Sequence, residues 1–102
     1  MKAMQIVSFD GPASGLRYQE VPTPEPGPGQ IAVDVDHAGV GYVEALFTEG
    51  LVPIDLPWTP GLEVSGRVRA LGDGVDGYRV GEAVVALTIT GGGGYGQVAV
   101  AP

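Results

Sequence analysis

The chain has 102 residues, of which 44% are hydrophobic and 17% charged, so it is not an intrinsically disordered protein, even though 18 glycines and 9 prolines make up over a quarter of it. Its net charge of −7 argues against nucleic-acid binding, which needs clustered Lys and Arg side chains. The absence of cysteine excludes disulfides, a thiol nucleophile and a cysteine-ligated zinc site.

The first 29 residues predict two short strands and a stiff connector. Residues 2–9 and 16–21 have the pattern of extended segments, and Asp10-Gly11-Pro12 forms a turn between them. Proline occupies every second position from 22 to 28. Because proline fixes φ at about −65°, this segment favours a polyproline II conformation and is expected to be a structural link.

Residues 30–38 have the clearest strand pattern in the chain. Hydrophobic residues fall on one face and acidic residues on the other, which is typical of a half-buried strand. His37 lies on the hydrophobic face in this alternation. We therefore expect it to be buried or at the rim of the core, and not a metal ligand.

A short helix is predicted at residues 42–48. Val43, Leu46 and Phe47 recur at the spacing of one helical face, and Gly50 can adopt the left-handed conformation that ends a helix. Glycines at 39 and 41 separate this helix from the preceding strand.

The second half of the chain predicts a proline-rich loop at 51–60, strands at 62–71, 83–88 and 97–101, and a flexible loop at the glycine run 91–94. Gly66 interrupts the strand 62–71 and indicates a bulge or a close backbone approach. A small antiparallel barrel would remove the exposed edges of so many short strands.

Three ordered segments carry a pattern that extends over the whole chain. They are AGVGYVEAL at 38–46, PWTPGLEVSGRV at 57–68 followed by Gly72 and Val75, and GEAV at 81–84 followed by GYGQ at 94–97. Together they resemble the strand-to-helix turn, the PGxExxGxV segment, and the GDxV and GGYAEY segments of the medium-chain dehydrogenases/reductases. The resemblance is strongest to the zinc-independent quinone oxidoreductase and enoyl reductase branch.

This resemblance implies that residues 1–102 form a GroES-like domain, a mainly β, partly open β barrel with one or two short helices. In the family this is the N-terminal, substrate-side domain. A Rossmann domain follows it and binds NADPH, and the active site lies in the cleft between the two. The sequence has no strand–GxGxxG–helix unit. The implied partners are a Rossmann domain, in cis or in trans, and a small-molecule substrate, and the isolated chain is expected to be inactive.

The resemblance also implies that no zinc is bound. Zinc-dependent relatives have Cys and His at the positions matched here by Gly41 and Leu62, neither of which can ligate a metal. Glu63 matches a glutamate of their motif, and we expect it to be a buried, hydrogen-bonded carboxylate. Tyr95 matches an aromatic position and is expected to be structural.

The chemistry implied is hydride transfer to a quinone or an α,β-unsaturated carbonyl, which needs orientation and a donor near the developing oxyanion. Tyr42 is the candidate catalytic donor, although it could instead cap the end of the barrel. Gly41, Tyr42 and Val43 are the candidate cofactor-binding residues, with Gly41 replacing the Asn common in quinone oxidoreductases. Phe47 and Trp58 could line the substrate cleft or pack in the core.

Two other hypotheses stay open, a stand-alone GroES-like binding or assembly module and half of a split reductase. No hydrophobic run approaches the roughly 20 residues of a membrane span, and no signal peptide is evident, so a cytoplasmic protein without a membrane partner is expected. We also expect an exposed apolar face, formed by Tyr42, the 51–58 loop and the C-terminal strand, that could promote self-association.

Overall fold

The computed structural model describes residues 1–51, 54–88 and 92–102. In chain order the elements are β1 (Lys2–Ile6), α1 (Pro12–Gly15), β2 (Leu16–Glu20), β3 (Ile31–Ala38), α2 (Tyr42–Thr48), β4 (Glu63–Leu71), β5 (Ala83–Leu87) and β6 (Val98–Ala101). The predicted strands and helix are confirmed. The one-turn helix α1 was not predicted in this segment, where the sequence indicated only the turn Asp10-Gly11-Pro12.

The strands form two antiparallel sheets. β1 pairs with β2, and the second sheet has the order β5-β4-β3-β6. Bridges between Ala3 and Gly96 and between Ile6 and Trp58 connect β1 to segments outside the strands. The described sheets do not close on each other, which confirms a partly open, mainly β architecture.

The core lies on the inner face of the four-stranded sheet. Val33 and Val68, which are paired across β3 and β4, are 0% and 1% exposed. The hydrophobic cluster consists of Ile31, Val33, Val64, Val68, Ala86, Ala99 and Ala101. Burial of each valine side chain contributes about 1.5 kcal/mol or more, so the alternation along the central strands is what specifies the sheet.

A β-bulge near the end of β3 makes part of the prediction for His37 wrong. Val35 is paired with Gly66 and His37 with Ser65, so Asp36 is an extra residue opposite β4. An extra residue shifts the inward and outward alternation by one position. Ala38 therefore packs against the core, and His37 is exposed on the outer face.

Two glycine predictions are confirmed. A Cβ atom at Gly66 would overlap the Asp34 carbonyl, so the two backbones approach closely at the site of the bulge. Gly50 has φ +78° after the last turn of α2. The Gly50 N–H donates to Phe47 O at 3.2 Å and the Leu51 N–H to Leu46 O at 3.4 Å, which is the hydrogen-bond pattern of a Schellman cap.

The glycine run 91–94, predicted to be a flexible loop, packs against the 59–61 segment in its described part. Gly92 and Gly94 are buried. The Gly93 N–H donates to Thr59 O at 2.8 Å, and the backbone of Gly94 packs so closely on Gly61 that a Cβ atom at Gly61 would lie 2.6 Å from Gly94 Cα. Gly91, like Pro53 of the 51–58 loop, lies outside the described residues.

Candidate functional site

A surface depression of about 260 Å³ lies between the N-terminus of α2, the start of β4 and the end of β5. Its lining consists of Gly41, Tyr42, Val43, Glu44, Leu62, Glu63 and Leu87. The three predicted cofactor-binding residues are therefore adjacent to one depression. Gly41 and Leu62, the positions matched to zinc ligands in the resemblance, also meet there, and neither has a side chain that can bind a metal.

The N-terminus of α2 is held by Glu44. Gly41 is the N-cap residue, with extended backbone angles, and its N–H donates to Glu44 Oε2 at 2.9 Å. This is the half of a capping box that the third helical residue supplies. Glu44 is only 7% exposed. Sequence reasoning missed it, although a glutamate three residues after an N-cap position is a recognised helix-start signal.

Tyr42 is the first residue of α2 and projects from the surface. It is 79% exposed, so its ring packs little against this chain and its phenol is available to another molecule. Val43 beside it is also exposed. This exposure gives little support to the alternative in which Tyr42 only packs over the end of the barrel.

Phe47 and Trp58 do not line the depression beside Tyr42. Their rings pack against each other with centroids 4.9 Å apart and planes tilted by 52°, and both residues are half-buried. Trp58 also exchanges two backbone hydrogen bonds with Ile6, at 2.7 and 3.1 Å. The pair thus connects α2, the 57–60 segment and β1. Of the two predicted roles for Phe47 and Trp58, the contacts favour packing over lining the substrate cleft.

A second depression, of about 250 Å³, lies on the outer face of β3, β4 and β5 and shares Glu63 with the first. Its other lining residues are His37, Ala38, Gly39, Val64, Ser65 and Val85. Glu63 is exposed, so the prediction of a buried carboxylate is wrong. The reason is its register, because Glu63 is paired with Leu87 on the outer face of the sheet. No group of three or more His, Cys, Asp or Glu side chains able to hold a metal occurs in the described ranges.

A smaller cavity of about 160 Å³ lies behind α2, and Glu44 lines it as well. Its other lining residues are Leu16, Val40, Gly41, Ala45, Thr48, Pro60 and Tyr95. Burial, together with the negative charge of Glu44, raises the pKa of the Tyr95 phenol above its usual value. The Tyr95 N–H donates to Pro60 O at 2.9 Å and the Met4 N–H donates to Tyr95 O at 2.9 Å, consistent with the predicted structural role.

The exposed apolar face differs in part from the one predicted. Tyr42 and Leu51 are exposed, but Val98, Ala99 and Ala101 of the C-terminal strand β6 are buried. β6 pairs with β3, and Gln97 just before it donates its N–H to Lys2 O of β1 at 3.1 Å. The apolar surface next to Tyr42 and Val43 is instead formed by the outer side of β5, where Val85 is 81% exposed and Leu87 58%. Among the described residues no helix is long and apolar enough to cross a membrane.

Comparison with known proteins gives a consistent result along the chain. Residues 27–102 match the model of the alcohol dehydrogenase GroES-like domain. The chain is 32% identical over 106 residues to the chloroplastic quinone-oxidoreductase QR1 of Triphysaria versicolor, covering 99% of this chain and 32% of that protein. It is 33% identical over 85 residues to acryloyl-coenzyme A reductase of Sulfurisphaera tokodaii, covering 82% of this chain and 25% of that protein.

The same similarity is found among solved structures. The mycobacterial protein Rv1454c, solved in complex with NADPH, superposes with a TM-score of 0.88 at 33% identity, covering 100% of this chain and 31% of that one. The chain thus spans about a third of the length of the relatives it matches.

Proposed function

The chain belongs to the alcohol dehydrogenase GroES-like domain family, in the quinone oxidoreductase branch of the medium-chain dehydrogenases/reductases, and on this basis we propose that it is the substrate-side domain of an NADPH-dependent oxidoreductase. The proposed reaction transfers hydride to a quinone or an α,β-unsaturated carbonyl compound. A Rossmann domain, acting in cis or in trans, would complete the enzyme. The relatives named as quinone oxidoreductase and acryloyl-coenzyme A reductase support both acceptor classes.

The observation that carries the proposal is an exposed phenol beside an apolar depression. The Tyr42 ring is 79% exposed, and Val43, Leu62 and Leu87 supply apolar walls. Such walls suit a planar, weakly polar acceptor. When hydride adds to the acceptor, negative charge develops on its oxygen, and a hydrogen bond donated by Tyr42 would stabilise that charge.

NADPH would be held mainly by the partner domain, because residues 1–51, 54–88 and 92–102 do not offer it a phosphate site. The N-terminus of α2 already receives the carboxylate of Glu44, which would repel a pyrophosphate. The sequence also contains no strand–GxGxxG–helix unit. Bound NADPH supplies the hydride, and Gly41, Tyr42 and Val43 are proposed to border its nicotinamide side.

We further propose that the reaction needs no zinc. The Gly41 hydrogen and the Leu62 alkyl side chain offer no metal ligand where zinc-dependent relatives have Cys and His. A quinone or activated alkene accepts hydride without a metal that polarises its carbonyl.

The cytoplasmic location expected from the sequence also stays a proposal, which cell fractionation would test.

The test is reconstitution. The purified chain is assayed for NADPH oxidation with a quinone, alone and after fusion to the NADPH-binding domain of a quinone oxidoreductase relative. We expect no turnover from the chain alone and turnover from the fusion. Robust turnover by the chain alone, or a folded fusion that binds NADPH but reduces neither acceptor class, would contradict the proposal. A solution mass near that of a heptamer would favour the alternative of a GroES-like assembly module.

A further inference from the structure

The first turn of α2 has an unusual dependence on one side chain. Gly41 occupies the N-cap position, where Ser, Thr, Asp or Asn would normally accept a hydrogen bond from the helix backbone. Glycine has no side chain to do this, so only the reverse interaction remains, in which the Gly41 N–H donates to Glu44 Oε2 at 2.9 Å. Glycine also has more backbone freedom than any other residue, which favours fraying at this end of the helix.

Glu44, which holds the first turn of α2 through this hydrogen bond, also lies beside the candidate site. Its carboxylate borders both the outer depression, next to Tyr42, and the cavity behind α2, next to Tyr95. It is 7% exposed and forms no ion pair among the described residues. A buried carboxylate is costly unless it is hydrogen-bonded, so its bond to the Gly41 N–H stabilises both groups at once.

We propose that Glu44 is the positioning residue for Tyr42, holding the Gly41–Glu44 turn closed so that the Tyr42 phenol stays beside the depression. The catalytic consequence of this inference rests on the proposed function of Tyr42. The effect of Glu44 on the position of Tyr42 does not depend on it. Tyr42 lies between the two hydrogen-bonded residues, so opening of that bond would loosen the backbone from which its side chain projects. A substitution that removes the acceptor should therefore release Tyr42 without disturbing the core.

The structural test uses amide hydrogen exchange by NMR on the 102-residue chain. Glu44→Met keeps the length of the side chain but removes the acceptor, while Glu44→Gln keeps an oxygen acceptor and removes the charge. Glu49→Gln, on the exposed last turn of the same helix, controls for the charge change. We expect exchange at Gly41 to rise roughly 10- to 100-fold in E44M, the range for loss of a hydrogen bond to a charged group, and much less in E44Q and E49Q.

A merely stabilising role for Glu44 predicts a different pattern. In that case E44M would accelerate exchange across the protein, including the amides of Val33 and Val68. Under the proposal these core amides keep their protection, because methionine suits the apolar walls of the cavity behind α2. Uniform acceleration, or unchanged exchange at Gly41 in E44M, would overturn the inference. If E44M does not fold, Glu44→Ala is measured against E44Q in the same way.

The functional test uses the fusion to an NADPH-binding domain. E44M should lower kcat in the same direction as Tyr42→Phe, E44Q should rescue most of it, and E44M should have little further effect once Tyr42 is Phe. If Y42F lowers kcat but E44M does not, the positioning role is wrong and the proposed function stands. If Y42F leaves kcat unchanged, the role of Tyr42 in the proposed function fails, whatever Gly41 exchange shows.

Discussion

Replacement of Gly66 by alanine tests how the fold positions the outer face of the sheet. Gly66 is buried in β4 opposite Val35, immediately beside the β-bulge that turns His37 outward. A Cβ atom at this position would overlap the Asp34 carbonyl oxygen and approach Val33 Cγ1 to 3.1 Å. The carbonyl belongs to the backbone of β3, so it cannot move away without separating β3 from β4.

The expected magnitude follows from overpacking in a region where the backbone must shift. Such substitutions cost about 1–3 kcal/mol, and in a domain of this size each kcal/mol lowers Tm by roughly 4–8 °C. Gly27→Ala is the matched control. A Cβ atom at Gly27 would meet only the end of the Gln30 side chain, at 3.1 Å, and a shift of a few tenths of an ångström relieves this contact while Gln30 Oε1 keeps the hydrogen bond from the Gly27 N–H.

The assay is urea and thermal unfolding followed by the fluorescence of Trp58, the single tryptophan. We expect G66A to unfold at clearly lower urea concentration and temperature than the wild type, and G27A to stay within about 0.5 kcal/mol of it. Equal stability of G66A and the wild type would refute the close-approach argument and the register of β3 against β4.

Two further predictions concern the interior of the site. Because the pKa of Tyr95 is raised, the unfolded state loses this phenol proton before the folded state does, so the free energy of unfolding should fall as pH rises above about 10. Glu44→Gln should move the Tyr95 pKa back toward its usual value, as an NMR titration would measure, and an unchanged pKa would show that burial alone sets it. For the metal, purified fusion enzyme should keep its kcat after treatment with a strong chelator and gain nothing from added zinc, whereas loss on chelation with recovery on zinc would contradict a zinc-independent reaction.

The strands and α2 could be predicted from the sequence because their signals are local. Hydrophobic alternation and turn residues gave the strands close to their observed bounds, and the spacing of Val43, Leu46 and Phe47 gave the helix. The short helix α1 was missed because Asp10-Gly11-Pro12 has the composition of a turn. The single turn of α1 is formed by a hydrogen bond from the Gly15 N–H to Gly11 O at 2.7 Å. A helix this short has no hydrophobic periodicity from which it could be predicted.

The errors at the site arise from non-local pairing. The orientation of His37 depends on the bulge opposite Ser65, and the exposure of Glu63 depends on its register with Leu87. Neither can be read from a strand in isolation. The acid that is buried is Glu44, and its capping position was readable from the local sequence. Phe47 and Trp58 are eleven positions apart in the sequence, and their contact depends on how the loop folds back on α2. The sequence pattern therefore did not predict it.

The role of Tyr42 as the oxyanion donor is tested by the kcat of the reconstituted enzyme with Tyr42→Phe. Tyr18→Phe is the control, since Tyr18 is also an exposed phenol but lies on β2, outside the depression beside α2. Loss of one oxyanion donor costs on the order of 10²-fold in kcat. We predict a loss of that order for Y42F, with wild-type stability, and full activity for Y18F. Equal activity of Y42F and the wild type with both a quinone and an α,β-unsaturated carbonyl would contradict it.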